Sequence, residues 1–431
     1  MKAKEVILLI LIVAAGIFFY HIQTGKIPVN VYFDDGIFFS LNEYIYEDIQ
    51  EIEPPLPSEV QIINSHGDIE IQGTKNEKIT VSFRKKIWRK NEEEAKKVDN
   101  LLRMIINQDD QRLIISTNRN EFRKKNFETF FTVFVPEKMA AKLKNSYGLV
   151  KVSNLTNTDI INHHGKIIAS NINGNITINN SYNDIEVENI QSDCQIDSHH
   201  SKVSVYHVKG DAQISHRYGK INLENISQEV TVEGSHTAVY GQNIGGPVRI
   251  ESSYEKISLF NVGQTFIRGN HCLVEVDSSK GLDIKDNYSK VRVKNIQGDL
   301  FIDGKNLGIF GKTIIGNKIS ISSSNKDVVL NDFSGKTTIF LSHGDIFLTP
   351  FPLTQSIEVK NKYSNIKFYW PSGNTYYVEA RSKQGDIHWG LPYEMNFLEE
   401  NAFSILKAFD EEKDKPSIFL STTYGSIRIE E

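Results

Sequence analysis

Apolar and polar residues alternate with a period of two in short runs along most of this chain. Ile176 and Ile178 flank Thr177, Ile221 and Leu223 flank Asn222, and Val230 and Val232 flank Thr231. That period sends Ile, Val and Leu to one face of a strand and the polar residues to the other. Gly and Asn separate the runs, and both suit corners that need φ > 0. Two stretches depart from the pattern. Between strands expected at 77–86 and 112–118, the residues Ala95, Val98, Leu101, Leu102 and Ile105 keep helical spacing behind Asn91, the expected N-cap. Phe397, Leu398, Phe403, Leu406 and Phe409 predict a second helix at about 395–410.

The runs belong to a repeat. A Tyr or His recurs at Tyr147, His164, Tyr182, His200, Tyr218, His236, Tyr254, His271 and Tyr288, at intervals of 17 or 18 residues. Asn306, Asn325, His343 and Tyr363 continue the series less regularly, while His66 and Tyr424 read as an early and a late copy. Tyr and His alternate strictly, so two related halves make a longer period of about 36. After each Tyr comes an alternating strand and then an Asn followed by an apolar residue, as in Val150, Val152, Asn154 and Leu155. One such strand pair cannot bury its own apolar face, but stacked copies can, each satisfying its neighbour's backbone. The fold class is therefore all-β. It is a β-solenoid, or β-helix, of ~18-residue half-repeats with a 36-residue superperiod, and one amphipathic helix is inserted near each terminus. Whether the coil is 18 or 36 residues is open at this level. A dozen half-repeats at 18 residues per coil predict a rod of roughly 60 Å.

The expected organisation is an N-terminal signal anchor at 1–23, a spacer at 24–58, N-terminal strands with a capping helix at 59–142, the repeat solenoid at 143–393, and a C-terminal helix with closing strands at 394–431. Lys2 and Lys4 precede an apolar run from Val6 to Tyr20, the layout of an export signal. Read as an uncleaved anchor, it places the lysines in the cytoplasm and the bulk of the chain outside. Pro54, Pro55 and Pro57 stiffen the spacer.

Composition narrows the function. A net charge of −5 with both signs interspersed gives no basic patch for nucleic acid. Cys194 and Cys272 form no CxxC, and their spacing does not establish a disulfide. The recurring histidines suggest a corner ladder more than a metal centre, because no acidic partner recurs with them. Asp68, Asp184, Asp345 and Asp386 track the repeat, a turn signature rather than a converged carboxylate pair. No nucleophile elbow, zincin, P-loop or dinucleotide motif occurs. Neither a catalytic residue nor a metal or other cofactor is expected. The aromatic-rich last quarter offers a ligand surface at Tyr363, Tyr369, Trp370, Tyr376 and Trp389, and a terminal core fits the same residues.

The segments from Ser65 to Ile69, Ser342 to Ile346 and Ser382 to Ile387 share a Ser–Gly-Asp-Ile pattern. With the N-terminal apolar run, they resemble the bacterial putative-adhesin β-strand repeat families of unknown function, over residues 58–431. The resemblance implies an envelope protein and carries over no catalytic residue. The functional expectation is a non-catalytic binding or scaffold rod of the cell envelope. Its partners would be the membrane, through the anchor, and an envelope polysaccharide or another membrane protein. The alternatives are an accessory subunit of an envelope-stress or transport system and, third, a polysaccharide-acting enzyme.

Overall fold

The computed structural model describes residues 41–109, 111–373, 375–400, 402–412 and 415–431. Alternation becomes strand pairing throughout. In Ile176–Tyr182 and Ile185–Ile190 the inward Ile and Val side chains are buried and the intervening residues are mostly exposed. Each coil contributes one strand to each of two stacked sheets. On the first sheet Thr158 pairs with Ile176, Ile176 with Cys194, Cys194 with Ala212, Ala212 with Val230, and Val230 with Val248, all parallel. The coil is thus 18 residues, relaxing to 17 where Val248 meets Thr265 and Thr265 meets Leu282. The 36-residue period lives only in the side chains.

Among the described residues seventeen parallel strands stack on the first sheet, from Arg112–Thr117 to Tyr377–Ser382. At 4.7–4.9 Å per strand the rod is about 80 Å long, longer than the central repeats alone predict. The gain comes from both ends, where chain order and spatial order differ. The coil of Glu59–Ile63 and Ile69–Thr74 lies between the coil of Arg112–Thr117 and Phe127–Pro136 and that of Ala140–Lys144 and Val150–Leu155. At the other end the last coil, Ser417–Thr422 and Ile427–Glu430, is inserted between Ile357–Asn361 with Ile366–Tyr369 and Tyr377–Ser382 with Ile387–Trp389.

Among the described residues antiparallel strands finish three of the four sheet ends. Ile79–Arg89 and then Asn42–Ile52 extend one sheet, and Met104–Gln108 extends the other. Helix α1, Glu92–Leu101, begins at Asn91, whose side chain accepts from the Glu94 N–H at 2.9 Å, and packs on Ile79–Arg89.

Two expectations are corrected here. Residues 395–410 form no helix; α1 is the one α-helix among the described residues. Asn396–Glu400 and Phe403–Ala408 are an antiparallel pair, and the second of them pairs with Tyr377–Ser382. Apolar spacing alone fitted both readings, and an unpaired sheet edge decides for strand. Ala402, at φ 65°, also interrupts any helix. The second correction concerns the expected transmembrane signal anchor. Among the described residues no helix is long and apolar enough to cross a membrane, and the segment 1–23 lies outside them.

Candidate ligand-binding surfaces

The repeated Tyr and His residues meet at one corner. From Tyr147 to Tyr288 nine rings stack, one per coil, with centroids 4.8–5.4 Å apart and planes within 6–22°. His66 extends the column beneath Tyr147 at 4.7 Å. Asn306 and Asn325 interrupt the rings but hydrogen-bond to each other at 2.8 Å. The column resumes at His343, Tyr363 and Tyr424, the last placed there by the inserted final coil. Ring spacing follows strand spacing, so the coil repeat produces the stack. The ring faces are occupied by one another. What meets solvent is edges: Tyr hydroxyls and imidazoles, on tyrosines 45–57% exposed.

Backbone geometry explains why the corner needs company. His200, Tyr218, His236, Tyr254, His271 and Tyr288 all lie at φ of 51–69°. A left-handed conformation costs a non-glycine residue roughly 1–2 kcal/mol. Stacking returns about 0.5–1.5 kcal/mol per aromatic pair. The two are of one size, so the column stabilises corners that would otherwise strain.

A second corner carries an asparagine ladder. Asn154, Asn171, Asn189, Asn225, Asn243 and Asn261 sit at φ of 52–60°. Amide-to-amide hydrogen bonds of 2.9–3.1 Å link most neighbours, and His207 Nε2 accepts from the Asn225 amide at 3.1 Å. The turn carboxylates are staples between coils. Asp68 accepts from the Leu149 N–H, Asp184 from Lys202 and Asp345 from Asn365, at 2.8–3.2 Å.

Beneath the aromatic column lies a buried polar layer. Asn64, Asn145, Asn162, Asn180 and Asn361 donate to turn carbonyls, for example Asn162 to Gly148 and Gly165 at 3.1 and 3.2 Å. Patterning by hydrophobicity does not single these residues out. The signal is an Asn two places before the ring, as in Asn145 and Tyr147. Toward mid-rod the layer becomes Ser198 and His216, hydrogen-bonded at 2.8 Å through Nδ1, with His216 fully buried. Burial pulls His216 down to about 4.

The sequence-selected aromatic residues of the last quarter divide. Trp370 and Tyr376 are 6% and 8% exposed, with ring centroids 5.9 Å apart. Trp389, half-buried, meets Trp370 edge-on at 6.0 Å. Tyr369 is half-buried beneath the Lys367 ammonium. Tyr363 is apart from them, exposed in the column between His343 and Tyr424. Nearby, the largely buried Glu379 binds Arg381, Lys407 and the Tyr377 hydroxyl. Burial, reinforced by Glu379, pushes Tyr377 up to about 12.

Cys194 and Cys272 are both free and buried, and burial raises their thiols to about 12 and 11. Among the described residues no group of three or more His, Cys, Asp or Glu could hold a metal ion.

Fold and surfaces together define the class: a capped, two-sheet parallel β-solenoid. No family model matches the chain, and no curated protein matches it. Among solved structures, a putative cell adhesion protein from Clostridium sporogenes aligns over 90% of this chain and 99% of its own, at 11% identity and a TM-score of 0.19. A likeness at that level carries no argument about function.

Proposed function

We propose that this chain is a non-catalytic binding rod of the bacterial cell envelope, displayed outside the cytoplasm, that holds an extended wall or capsule polysaccharide along its outer surface. The observation that carries the reading is the column from Tyr147 to Tyr288, a line of hydroxyl and imidazole edges repeated once per coil. A regular comb of donors and acceptors matches a regular polymer, whereas catalysis needs groups converging on one point. The Lys-flanked apolar run at residues 6–20, with the layout of an export signal, supports the location.

The test is in-cell crosslinking of the tagged full-length protein. Its comparison is a variant with Tyr182→Phe, Tyr218→Phe and Tyr254→Phe, which keeps the stack and removes three hydroxyls. Wall or capsule glycan is expected to co-purify with the wild type, and several-fold less with the variant. A stoichiometric membrane protein without glycan would replace the reading by that of an accessory subunit. Soluble product released from wall material would replace it by an enzyme.

A further inference from the structure

One part of the outer face differs from the rest. Along the second sheet Ser204, Asn222, Tyr240 and Ser258 form one outward column, and Tyr206, Glu224, Gln242 and Phe260 form the next. Tyr206 and Phe260 are three coils apart, about 14 Å. Glu224 and Gln242 lie between them, and Tyr240 stands alongside. The result is an open groove of about 330 Å³, whose lining includes Leu223 and Gly241 between the polar positions. Gly241 is the inward residue of its strand, where a Cβ would meet the Leu259 side chain at 2.9 Å. The Lys220 ammonium lies 4.2 Å from the Tyr240 ring centroid and holds that ring in place. Phe260 is 53% exposed.

We infer that this groove is a subsite for a neutral pyranose oligosaccharide, which names the ligand class within the binding-rod reading and rests on it. Aromatic surfaces at both ends and one side offer platforms for the apolar C–H faces of sugar rings. Between them Asn222, Gln242 and Glu224 supply donors and acceptors at the level of sugar hydroxyls. An open groove on a flat sheet admits a chain passing through, whereas a compact apolar ligand needs a cavity that encloses most of its surface. The Glu224 carboxylate in the lining disfavours a polyanion. In the column at the corner the ring faces are taken; here they are not stacked on one another coil by coil, because the three aromatic residues alternate with polar ones along the rod.

The experiment titrates chitotetraose (the N-acetylglucosamine tetramer) and cellotetraose into full-length protein carrying 3-fluorotyrosine, read by fluorine NMR and by calorimetry. One of the two probes is expected to bind saturably and to shift the Tyr206 and Tyr240 resonances, which their Phe variants assign. Tyr206→Ala and Phe260→Ala should each weaken binding at least tenfold, and Gln242→Ala several-fold. Phe310→Ala, an exposed ring farther along the same face, should leave it unchanged, and circular dichroism checks the fold of each variant. Saturable binding that Tyr206→Ala and Phe260→Ala do not weaken would overturn the groove while leaving a glycan-binding rod. No saturable binding of either probe also overturns the groove, and the rod reading then stands or falls on the in-cell crosslinking alone.

Discussion

His216 shows what one side chain contributes at a solenoid corner. Its Nδ1 meets the Ser198 hydroxyl, its backbone carbonyl accepts from Thr237 at 3.2 Å, and its ring is fully buried. Burial holds it neutral down to about pH 4 against the opposing pull of the Ser198 and Ser201 backbone groups, which accept from the protonated ring, and the neighbouring His199 and His200 add smaller contributions in the same direction as burial. An unfolded histidine takes its proton near pH 6.5. The folded pKa is the lower one, so stability is full above about pH 6.5. It drains away as pH falls toward 4 and is level below that. A shift from 6.5 to about 4 corresponds to on the order of 3 kcal/mol. Thermal melts at pH 7.5 and pH 4.5 should therefore show the His216→Gln variant losing distinctly less stability than the wild type over that range. Equal losses would mean His216 carries none of the acid sensitivity. The sequence set His216 among the recurring histidines without giving it a place at the corner or a role. The layer changes from Asn180 through Ser198 to His216 and Gly234, and only the packed corner shows that these residues serve one place.

At the scale of elements, pairing partners decide what local pattern leaves open. The helix at Glu92–Leu101 was readable because Asn91 and the spacing of Ala95, Val98 and Leu101 agree, although Ile105, read with them, belongs to the strand Met104–Gln108. The apolar residues between Phe397 and Phe409 satisfied the same spacing, yet the open edge of Tyr377–Ser382 recruits them as strands, pairing Val378 with Ala408 and Ala380 with Leu406. That edge is invisible to a window of sixteen residues, because its existence depends on a coil arriving from the end of the chain. The helix has its own long-range dependency. Its last turn holds no basic residue, and Lys85 supplies the charge from the neighbouring strand. The buried ammonium donates to the carbonyls of Asp99 and Leu102 at 3.3 and 3.1 Å and pairs with Asp48 and Asp99 at 2.7 and 2.6 Å. Lys85→Met removes all four contacts. Because Asp48 is more than half exposed and can rehydrate, the cost should fall below that of breaking a fully buried pair, at about 2 kcal/mol. Urea unfolding measures it, and hydrogen exchange should show Asn42–Ile52 opening first. An unchanged midpoint would reduce Lys85 to a surface lysine in effect.

The whole molecule behaves as a one-dimensional stack with locked ends. The ring intervals narrowed the coil to 18 or 36 residues, and the strand register decides for 18. The ends were not legible, since the first and last coils repeat the motif like any other and nothing local says that each is inserted one layer inward. That insertion buries both ends of the stacked chain beneath a further coil and leaves antiparallel strands at most of the edges, which limits edge-to-edge pairing with other chains. Between the ends each coil touches its neighbours alone, so stability should be a sum of coil and interface contributions. Deleting residues 176–211 removes two coils, joins Asn175 to Ala212 at equivalent positions, and sets His164 beneath Tyr218 with the alternation intact. This variant should fold, keep its β-sheet circular dichroism, and shorten by about 10 Å in small-angle scattering. Deleting nine residues, 176–184, instead removes one strand of a coil and forces the remaining one to serve the wrong sheet. That chain should aggregate or unfold. If the 36-residue deletion failed as badly as the nine-residue one, the coil would not be the unit of stability, and the ladders at the corners would have to act over longer distances than neighbouring rungs.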